Sequence, residues 1–159
     1  MKINFIRVLL IIITFITINS CERDDICIDE ITPHLIVRFY DNDNNTLFKK
    51  FSQLSVKVMG IENDSLSFSS TDSILIPLKV TDNSTQFILT LDSDQNTFIR
   101  DTLTVNYDPS NVFVGRSCGF KTIFNNTNYL LDSNNWIHNV ETITQTIDNE
   151  TGAHVKIFH

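Results

Sequence analysis

Apolar and polar residues alternate over short stretches along most of the chain after residue 33, and Asn, Asp, Ser and Gly separate these stretches. A two-residue period in segments rich in Ile, Val, Phe, Thr and Leu is typical of β-strands that bury one face. The pattern predicts strands at His34–Tyr40, Leu54–Met59, Leu66–Phe68, Ile74–Val80, Gln86–Leu91, Thr102–Tyr107, Val112–Arg116, Phe120–Phe124, Asn139–Ile147 and Ala153–Phe158. The last two are predicted to form a hairpin around residues 148–152, with Ile143, Ile147, Val155 and Ile157 facing inward.

Apart from a possible turn near Ser133–Ile137, no segment shows the three-to-four-residue apolar repeat of a helix. The sequence therefore predicts an all-β protein, an antiparallel β-sandwich of immunoglobulin-like or transthyretin-like type. An antibody-type domain is disfavoured because its order is Cys, Trp, Cys, whereas Trp136 follows both Cys27 and Cys118. The chain has 159 residues and no internal repeat, which favours a single sandwich domain over residues 34–159.

The first 20 residues have the pattern of a secretory signal. Lys2 and Arg7 precede an apolar run over Val8–Ile18, which is too short to span the hydrocarbon core of a bilayer. The run ends near Cys21, and this arrangement resembles the lipobox cleaved by the lipoprotein signal peptidase of bacteria. The sequence therefore predicts a lipoprotein signal peptide over residues 1–20 and a lipid attached to Cys21, which would hold the mature protein on a membrane.

Residues 21–33 are acidic and end in a proline, which predicts a lipidated tether. With Cys21 acylated, Cys27 and Cys118 remain, and an oxidising envelope compartment favours a disulfide between them. The alternative is a reactive thiol at Cys118, which would need neighbouring positive charge to lower its pKa. Only Arg116 and Lys121 could supply that charge from nearby in the sequence.

The formal net charge is −7 at pH 7. A nucleic-acid partner is disfavoured, because binding to phosphates needs a basic face that this composition does not supply. The apolar fraction of 42% is that of a globular domain, so the mature chain is expected to fold.

Three kinds of string suggest chemistry, and each also has a structural explanation. Gly115–Gly119 matches the G-x-S-x-G string of serine hydrolases, but strands are predicted on both sides, which favours a glycine-bounded bend over a nucleophilic Ser117. Asp41–Asn45 and Asp92–Asn96 begin like calcium loops but lack the required Gly and Glu, so we interpret both as turns. The four histidines lack the spacing of zinc ligands. We therefore expect no metal, no cofactor and no enzymatic activity.

Ser65, Ser73 and Thr102 each follow an Asp and precede an aliphatic residue. The three strings look like the acceptor motif for O-glycosylation of envelope proteins in the phylum Bacteroidota. A turn residue followed by the start of a strand produces the same string without any sugar, so both interpretations stay open.

Longer strings of the mature chain resemble an uncharacterised lipoprotein family of Bacteroidota, classed as a domain of unknown function. The resemblance is carried by Cys21–Cys27, Thr32–Asp41, Thr71–Leu78, Asp101–Val105, Ser117–Phe124, Asn135–Ile137 and His154–His159. It implies a lipid-anchored all-β domain with no assigned reaction and no functional residue beyond Cys21. In such lipoproteins an acid-rich stretch after the lipidated cysteine resembles a signal for surface export, and Glu22–Asp25 fits it; a plain hydrophilic spacer is the alternative.

These observations predict a lipoprotein of the outer membrane that acts as a non-catalytic binding or assembly accessory, with an envelope protein as a candidate partner. The first alternative is capture of a glycan or small ligand, which exposure of Trp136 beside Tyr129 would favour. The second, disfavoured alternative is a thiol-dependent envelope enzyme.

Overall fold

The computed structural model describes Cys27 and residues 32–61, 64–93 and 97–159, so the predicted signal peptide and Cys21 lie outside the described residues. Within the described ranges the chain forms strands and no helix, which confirms the all-β prediction. The strands are β1 (Leu35–Tyr40), β2 (Gln53–Val58), β3 (Ser65–Ser69), β4 (Ser73–Ile76), β5 (Ser84–Ser93), β6 (Thr97–Gly115), β7 (Gly119–Leu131), β8 (Asn139–Thr142) and β9 (Val155–Phe158). A search of these residues for a helix that could cross a bilayer finds none.

The strands form two sheets that pack face to face as a β-sandwich, as predicted. One sheet has the order β4-β1-β9-β8, and the other has the order β3-β2-β5-β6-β7. Their inner faces supply a single apolar core, in which Phe39, Phe87 and Phe124 are the largest fully buried side chains. Alternation explains this arrangement, because every second residue of a strand points to the same face. The immunoglobulin-like or transthyretin-like subtype stays a prediction.

One strand pair departs from the antiparallel expectation. β9 pairs parallel with β1, with Val37 opposite Val155 and Tyr40 opposite Phe158, whereas every other named pair is antiparallel. A parallel pair needs a long crossover, and here almost the whole domain lies between the two strands. The last strand is thus inserted beside the first, and the two ends of the domain are joined by backbone hydrogen bonds.

β6 and β7 are longer than predicted. The sequence pattern separates Thr102–Tyr107 from Val112–Arg116, but the structure joins them in a single 19-residue strand that contains Pro109. β5 pairs with β6 only as far as Asn106, and a register shift lies between Asn106 and Asp108. Beyond Asn106 one side of β6 has no strand partner, so a residue without an N–H group is accommodated there.

The predicted terminal hairpin is present as the antiparallel pair β8 and β9. Of the four residues predicted to face inward, Ile147, Val155 and Ile157 are fully buried, but Ile143 is 46% exposed. The prediction for Ile143 is wrong because β8 ends at Thr142, so the strand alternation does not extend to it. Ile147 instead reaches the other sheet, where it forms a β-bridge with Phe124.

Candidate functional site

The β6–β7 hairpin extends well past the rest of its sheet. β5 begins opposite Asn106, whereas β6 continues to Gly115, and nine residues at the usual strand rise correspond to about 30 Å. Near the end of the hairpin Phe113 and Phe120 pair across the two strands, with their ring centroids 5.3 Å apart in an edge-to-face arrangement. They are 57% and 69% exposed. This end of the hairpin, residues 109–123, is called the hairpin tip below.

The predicted disulfide is present and joins the hairpin tip to the start of the domain. Cys118 lies in the turn of the hairpin and is bonded to Cys27, with Cα atoms 4.8 Å apart, inside the usual range for a disulfide. Thr32 also contacts β7, because the backbone N–H of Thr122 donates to its Oγ1 at 3.0 Å. Pro33 is buried. The described part of the predicted tether is therefore held against the sandwich.

The Gly115–Gly119 string forms the turn of this hairpin. The turn residues lie between two paired strands, with a register shift at Gly115 and a positive φ of 71° at Gly119. The nucleophile elbow of hydrolases is instead a turn from a strand into a helix, so Ser117 does not have that setting. The predicted glycine-bounded bend is present, and it contains Cys118, which forms the disulfide.

A groove with a volume of about 860 Å³ lies on the outer face of the larger sheet, across β3, β2, β5 and the start of β6. This volume is within the usual range for small-ligand sites. Hydroxyl and amide groups of neighbouring strands form much of its surface, and the aromatic ring of Phe98, which is 64% exposed, lies at one end. The polar uncharged lining residues are Gln53, Ser55, Ser65, Ser67, Ser69 and Thr90.

Three charged residues also line the groove: Lys57, Arg100 and Asp92. In the register of the sheet, Arg100 lies opposite Thr90 and Asp92 lies opposite Phe98. Oδ1 of Asp92 is shielded from solvent and accepts no hydrogen bond from the described residues. The groove thus presents hydroxyl groups and two cationic side chains, whereas Oδ1 of Asp92 lies beneath its surface.

The groove and the hairpin tip lie at opposite ends of β6. Phe98 lies beside the first residue of the strand and Phe113 lies near its last residue, fifteen residues further on. At the usual strand rise this separation is roughly 50 Å. Whatever holds one end of the domain would leave the other end accessible.

Sequence reasoning missed Asp101, which is fully buried and organises the turn after β7. Its Oδ1 accepts from the backbone N–H of Asn135 at 2.8 Å, and its Oδ2 accepts from the backbone N–H groups of Trp136 and Ile137, both at 2.8 Å. Burial acts to raise the pKa of Asp101, but these bonds and one from Ser133 outweigh it, so the pKa lies below 3.8. Asp101 therefore stays ionised and fixes Trp136 and Ile137 in the core.

The burial of Asp101 could have been predicted from the sequence. Its side chain lies on the same face of β6 as Leu103, Val105 and Tyr107, all of which are buried. A carboxylate in phase with a buried apolar face needs hydrogen-bond donors inside the protein. The two-residue period thus predicts a buried, hydrogen-bonded Asp101.

His154 and His34 make polar contacts with other parts of the domain. Nδ1 of His154 accepts from the backbone N–H of Ile36 at 2.9 Å, and its Nε2 lies 3.0 Å from the carbonyl oxygen of Asn149. Burial lowers the pKa of His154 below 6.5 despite the opposing effects of Asn149 and the nearby acids. His34 contacts Glu150 at 2.7 Å. Among the described residues no group of three or more His, Cys, Asp or Glu side chains is placed to hold a metal ion.

Of the two acidic loops, the structure describes Asp41–Asn45 in full and the second only in part. Oδ1 of Asp41 accepts from the backbone N–H groups of Asp43 at 2.7 Å and Asn44 at 3.2 Å, which is the turn interpretation of that string. These bonds hold the pKa of Asp41 below 3.8. Residues 94–96 of the second loop lie outside the described residues.

The three candidate glycosylation acceptors have different surroundings. Ser65 is exposed at the start of β3 and lines the groove. Ser73 is partly buried at the start of β4, and its Oγ donates to the carbonyl oxygen of Val37 at 3.3 Å. Thr102 lies within β6, and its backbone N–H donates to Oγ of Ser133 at 3.1 Å. Of the three, Ser65 is the most accessible to a modifying enzyme.

Trp136 and Tyr129 do not form an exposed platform. Trp136 is 5% exposed and stacks on Phe39 at a centroid distance of 6.3 Å, and Tyr129 is 9% exposed. The observation that would have favoured a sugar site at these two residues is therefore absent.

Comparison with known proteins gives one match. A family model described as Family of unknown function (DUF6452) matches residues 55–159, and the chain belongs to this family. The predicted membership of a domain-of-unknown-function family is confirmed. No curated protein sequence and no solved structure matches the chain.

Proposed function

We propose that this member of the DUF6452 family is a Bacteroidota lipoprotein of the outer membrane. It would be exported by the signal peptide at residues 1–20 and held in the membrane by acyl chains on Cys21. Its sandwich domain would act as a non-catalytic binding or assembly accessory. Two or three acyl chains are sufficient for stable anchoring, since each buried CH₂ contributes about 0.8 kcal/mol.

The observation that carries this proposal is the disulfide between Cys27 and Cys118. Disulfides of this kind persist in oxidising compartments such as the bacterial periplasm and the cell surface. The bond leaves Cys21 as the remaining cysteine of the sequence, at the end of the predicted signal peptide. It also disfavours the thiol-dependent enzyme, because Cys118 would first have to be reduced.

The arrangement of the domain supports a role in binding. A lipid on Cys21 would be six residues from the disulfide at the hairpin tip, whereas the groove lies roughly 50 Å away along β6. A domain held at the tip would thus present the groove away from the membrane. This geometry suits an accessory that meets an envelope partner on its membrane-distal side.

The first experiment tests the anchor. The chain is expressed with its own leader in a Bacteroidota host, and the membrane fraction is analysed by intact-mass spectrometry beside a Cys21→Ser variant. We expect the mass of a chain that begins at residue 21 and carries acyl groups, and we expect the variant to keep its leader and to carry no acyl mass. In the wild-type chain, an unmodified Cys21 or a retained leader would refute the anchor. Protease treatment of intact cells then distinguishes surface display from a periplasmic location.

The second experiment tests the accessory role. Crosslinking in intact cells, followed by mass spectrometry, should recover a reproducible envelope protein with the wild-type chain. Recovery of polysaccharide alone would favour the other class of function and contradict the accessory role.

Capture of a glycan or small polar ligand is the second candidate, and the groove favours it. Hydroxyls, Asp92 and Arg100 could hydrogen-bond a sugar, and Phe98 could pack against an apolar sugar face. Phe98→Ala and Asp92→Asn should abolish binding in a screen of envelope polysaccharides. Phe120→Ala, at a similarly exposed aromatic residue of the hairpin tip, is the matched control. Equal binding by all variants would exclude the groove as the site.

A further inference from the structure

The hairpin tip exposes an unusual amount of apolar surface for a small element. Phe120 is 69% exposed, more than any other large hydrophobic residue among those the structure describes, and Phe113 beside it is 57% exposed. Val112, the preceding residue of β6, is 40% exposed on the opposite face of the hairpin, as strand alternation requires. Exposed apolar patches of this kind mark surfaces that contact a protein partner or a membrane.

The charge of the tip contrasts with the charge of the chain. The whole sequence has 19 acidic and 12 basic residues. Residues 109–123, in contrast, include Arg116 and Lys121 and no acidic residue. Exposed apolar side chains, including Phe, combined with cations are typical of protein surfaces that bind anionic lipid headgroups.

The disulfide determines how far the tip can be from an anchor. Cys27 is bonded to Cys118 in the turn of the hairpin, and Cys21 precedes Cys27 by six residues. Six residues span at most about 20 Å when fully extended. An acyl group on Cys21 would therefore hold the tip within about 20 Å of the bilayer. A modest tilt of the domain would then bring the aromatic and cationic side chains of the tip to the headgroups.

We propose that the hairpin tip contacts the surface of an anionic phospholipid bilayer, the same bilayer that holds the anchor. Phe113 and Phe120 enter the headgroup region, and Arg116 in the turn lies near lipid phosphates. Lys121, whose Nζ donates to the carbonyl oxygen of Asp148 at 2.8 Å, adds positive charge on the other face of the hairpin. The inference rests on the proposed lipid anchor for its orientation, but the composition of the tip supports it independently. The result is a domain held at two points, with its groove directed away from the membrane.

The test compares two aromatic residues of similar exposure at opposite ends of β6. Phe120→Trp and Phe98→Trp variants of the acylated chain are placed in phosphatidylglycerol-containing vesicles with brominated acyl chains, which quench nearby indoles. The native Trp136 is buried and contributes the same background to both variants. We expect at least about twofold more quenching for Phe120→Trp than for Phe98→Trp, because only the former indole would enter the interface.

Equal quenching of the two variants, or none in either, would overturn the proposed contact. Intact-mass analysis of the same samples reports acylation at Cys21, so a failure of the anchor is recognised separately. The same two substitutions in unacylated chains that begin at residue 22, mixed with the vesicles, test the tip without the anchor. More quenching for Phe120→Trp is again expected, and equal quenching would again contradict the contact. An Arg116→Gln/Lys121→Gln double variant in that background should bind anionic vesicles more weakly, by about fivefold per cation removed. Unchanged binding would contradict the role given to the cations.

Discussion

Replacement of Asp101 by asparagine removes the charge at the centre of the turn after β7 while keeping the size of the side chain. Both carboxylate oxygens of Asp101 accept from N–H groups: Oδ1 from the backbone and the side chain of Asn135, and Oδ2 from the backbone of Trp136 and Ile137. An asparagine has a single carbonyl oxygen. In either orientation its NH₂ group faces donors, which then have no acceptor.

The cost can be estimated from these contacts. A buried donor without a partner costs about 1–3 kcal/mol, and two donors lose their acceptor, so we expect Asp101→Asn to lower the free energy of unfolding by about 4 kcal/mol. This is a large part of the roughly 5–15 kcal/mol that stabilises a domain. At a urea dependence of about 2 kcal/mol per molar, the midpoint should fall by about 2 M. Because Trp136 is the single tryptophan of the chain and lies in this turn, its fluorescence reports the transition directly.

Asp132→Asn is the matched control. Oδ2 of Asp132 also accepts two hydrogen bonds, from Gln86 at 2.9 Å and Thr104 at 2.8 Å, but this network is exposed. Water replaces a lost bond there, so we expect a change of less than about 1 kcal/mol. If Asp101→Asn destabilised the domain no more than this control does, the structural role given to Asp101 would be refuted.

The pH dependence gives a second check on Asp101. Its pKa in the folded protein lies below the ordinary value of 3.8, so its contribution to stability is complete above that value and is lost as the pH falls through the folded pKa. The difference in stability between the wild type and Asp101→Asn should therefore be constant from neutral pH down to about pH 5 and should narrow below about pH 4. A difference that stays constant into strong acid would contradict this account.

Three further predictions follow from other contacts of the domain. A Cys27→Ser/Cys118→Ser variant lacks a cross-link between residues that are 91 positions apart. The chain-entropy model predicts that its free energy of unfolding, measured in urea, is lower by up to about 4–5 kcal/mol. A decrease of less than about 1 kcal/mol would contradict the model. Burial lowers the pKa of His154 below 6.5, so the free energy of unfolding should be highest above that pH and should fall as the pH decreases from about 6.5 to the pKa in the folded protein. In His154→Gln the free energy of unfolding should depend less steeply on pH in this range. Equal dependence on pH in the wild type and the variant would refute the assignment to His154. Tyr107→Phe removes a buried hydroxyl that donates to the carbonyl oxygen of Lys79 at 2.8 Å and is also hydrogen-bonded to Oγ1 of Thr85. Thermal or urea unfolding should show that the free energy of unfolding falls by about 1–3 kcal/mol, whereas no change would show that these bonds do not stabilise the domain.

The two-residue apolar pattern predicted the strands because strand burial is a local property. Leu54 and Val56 are buried, and Ser55 between them lies on the outer face, as alternation requires. Strand partners are not local, so the parallel pairing of β9 with β1 had no signal in the pattern. The break predicted at Pro109 was wrong for a related reason, because the cost of a proline depends on whether both sides of its strand are paired.

The candidate surfaces could not be predicted from the pattern, since a polar residue on an outer face looks the same whether or not it lines a groove. Ser55, Ser67 and Thr90 come from three strands, and only the order β3-β2-β5 places them side by side. The exposure of Phe98 and Phe120 could not be predicted either, because apolar residues in or near predicted strands are normally assigned to the core. Both rings are exposed, and they lie at opposite ends of the hairpin-forming strands.

β6 connects these features in a single element. Its first residues border the groove, its middle supplies Asp101, Leu103 and Val105 to the core, and its last residues form one side of the hairpin tip. The strand is rigid in its middle because it is paired on both sides and buried on one face. Its final part is paired with a strand on one side only, and the disulfide joins it to Cys27.

A chain without the disulfide should keep its groove intact, because the groove lies at the other end of β6, while the tip loses its covalent link to Cys27. Ligand binding at the groove and vesicle quenching at Phe120 are thus expected to respond differently to Cys27→Ser/Cys118→Ser: the first should persist under native conditions, and the second should fall. An equal loss of both would show that the two ends of β6 are not independent.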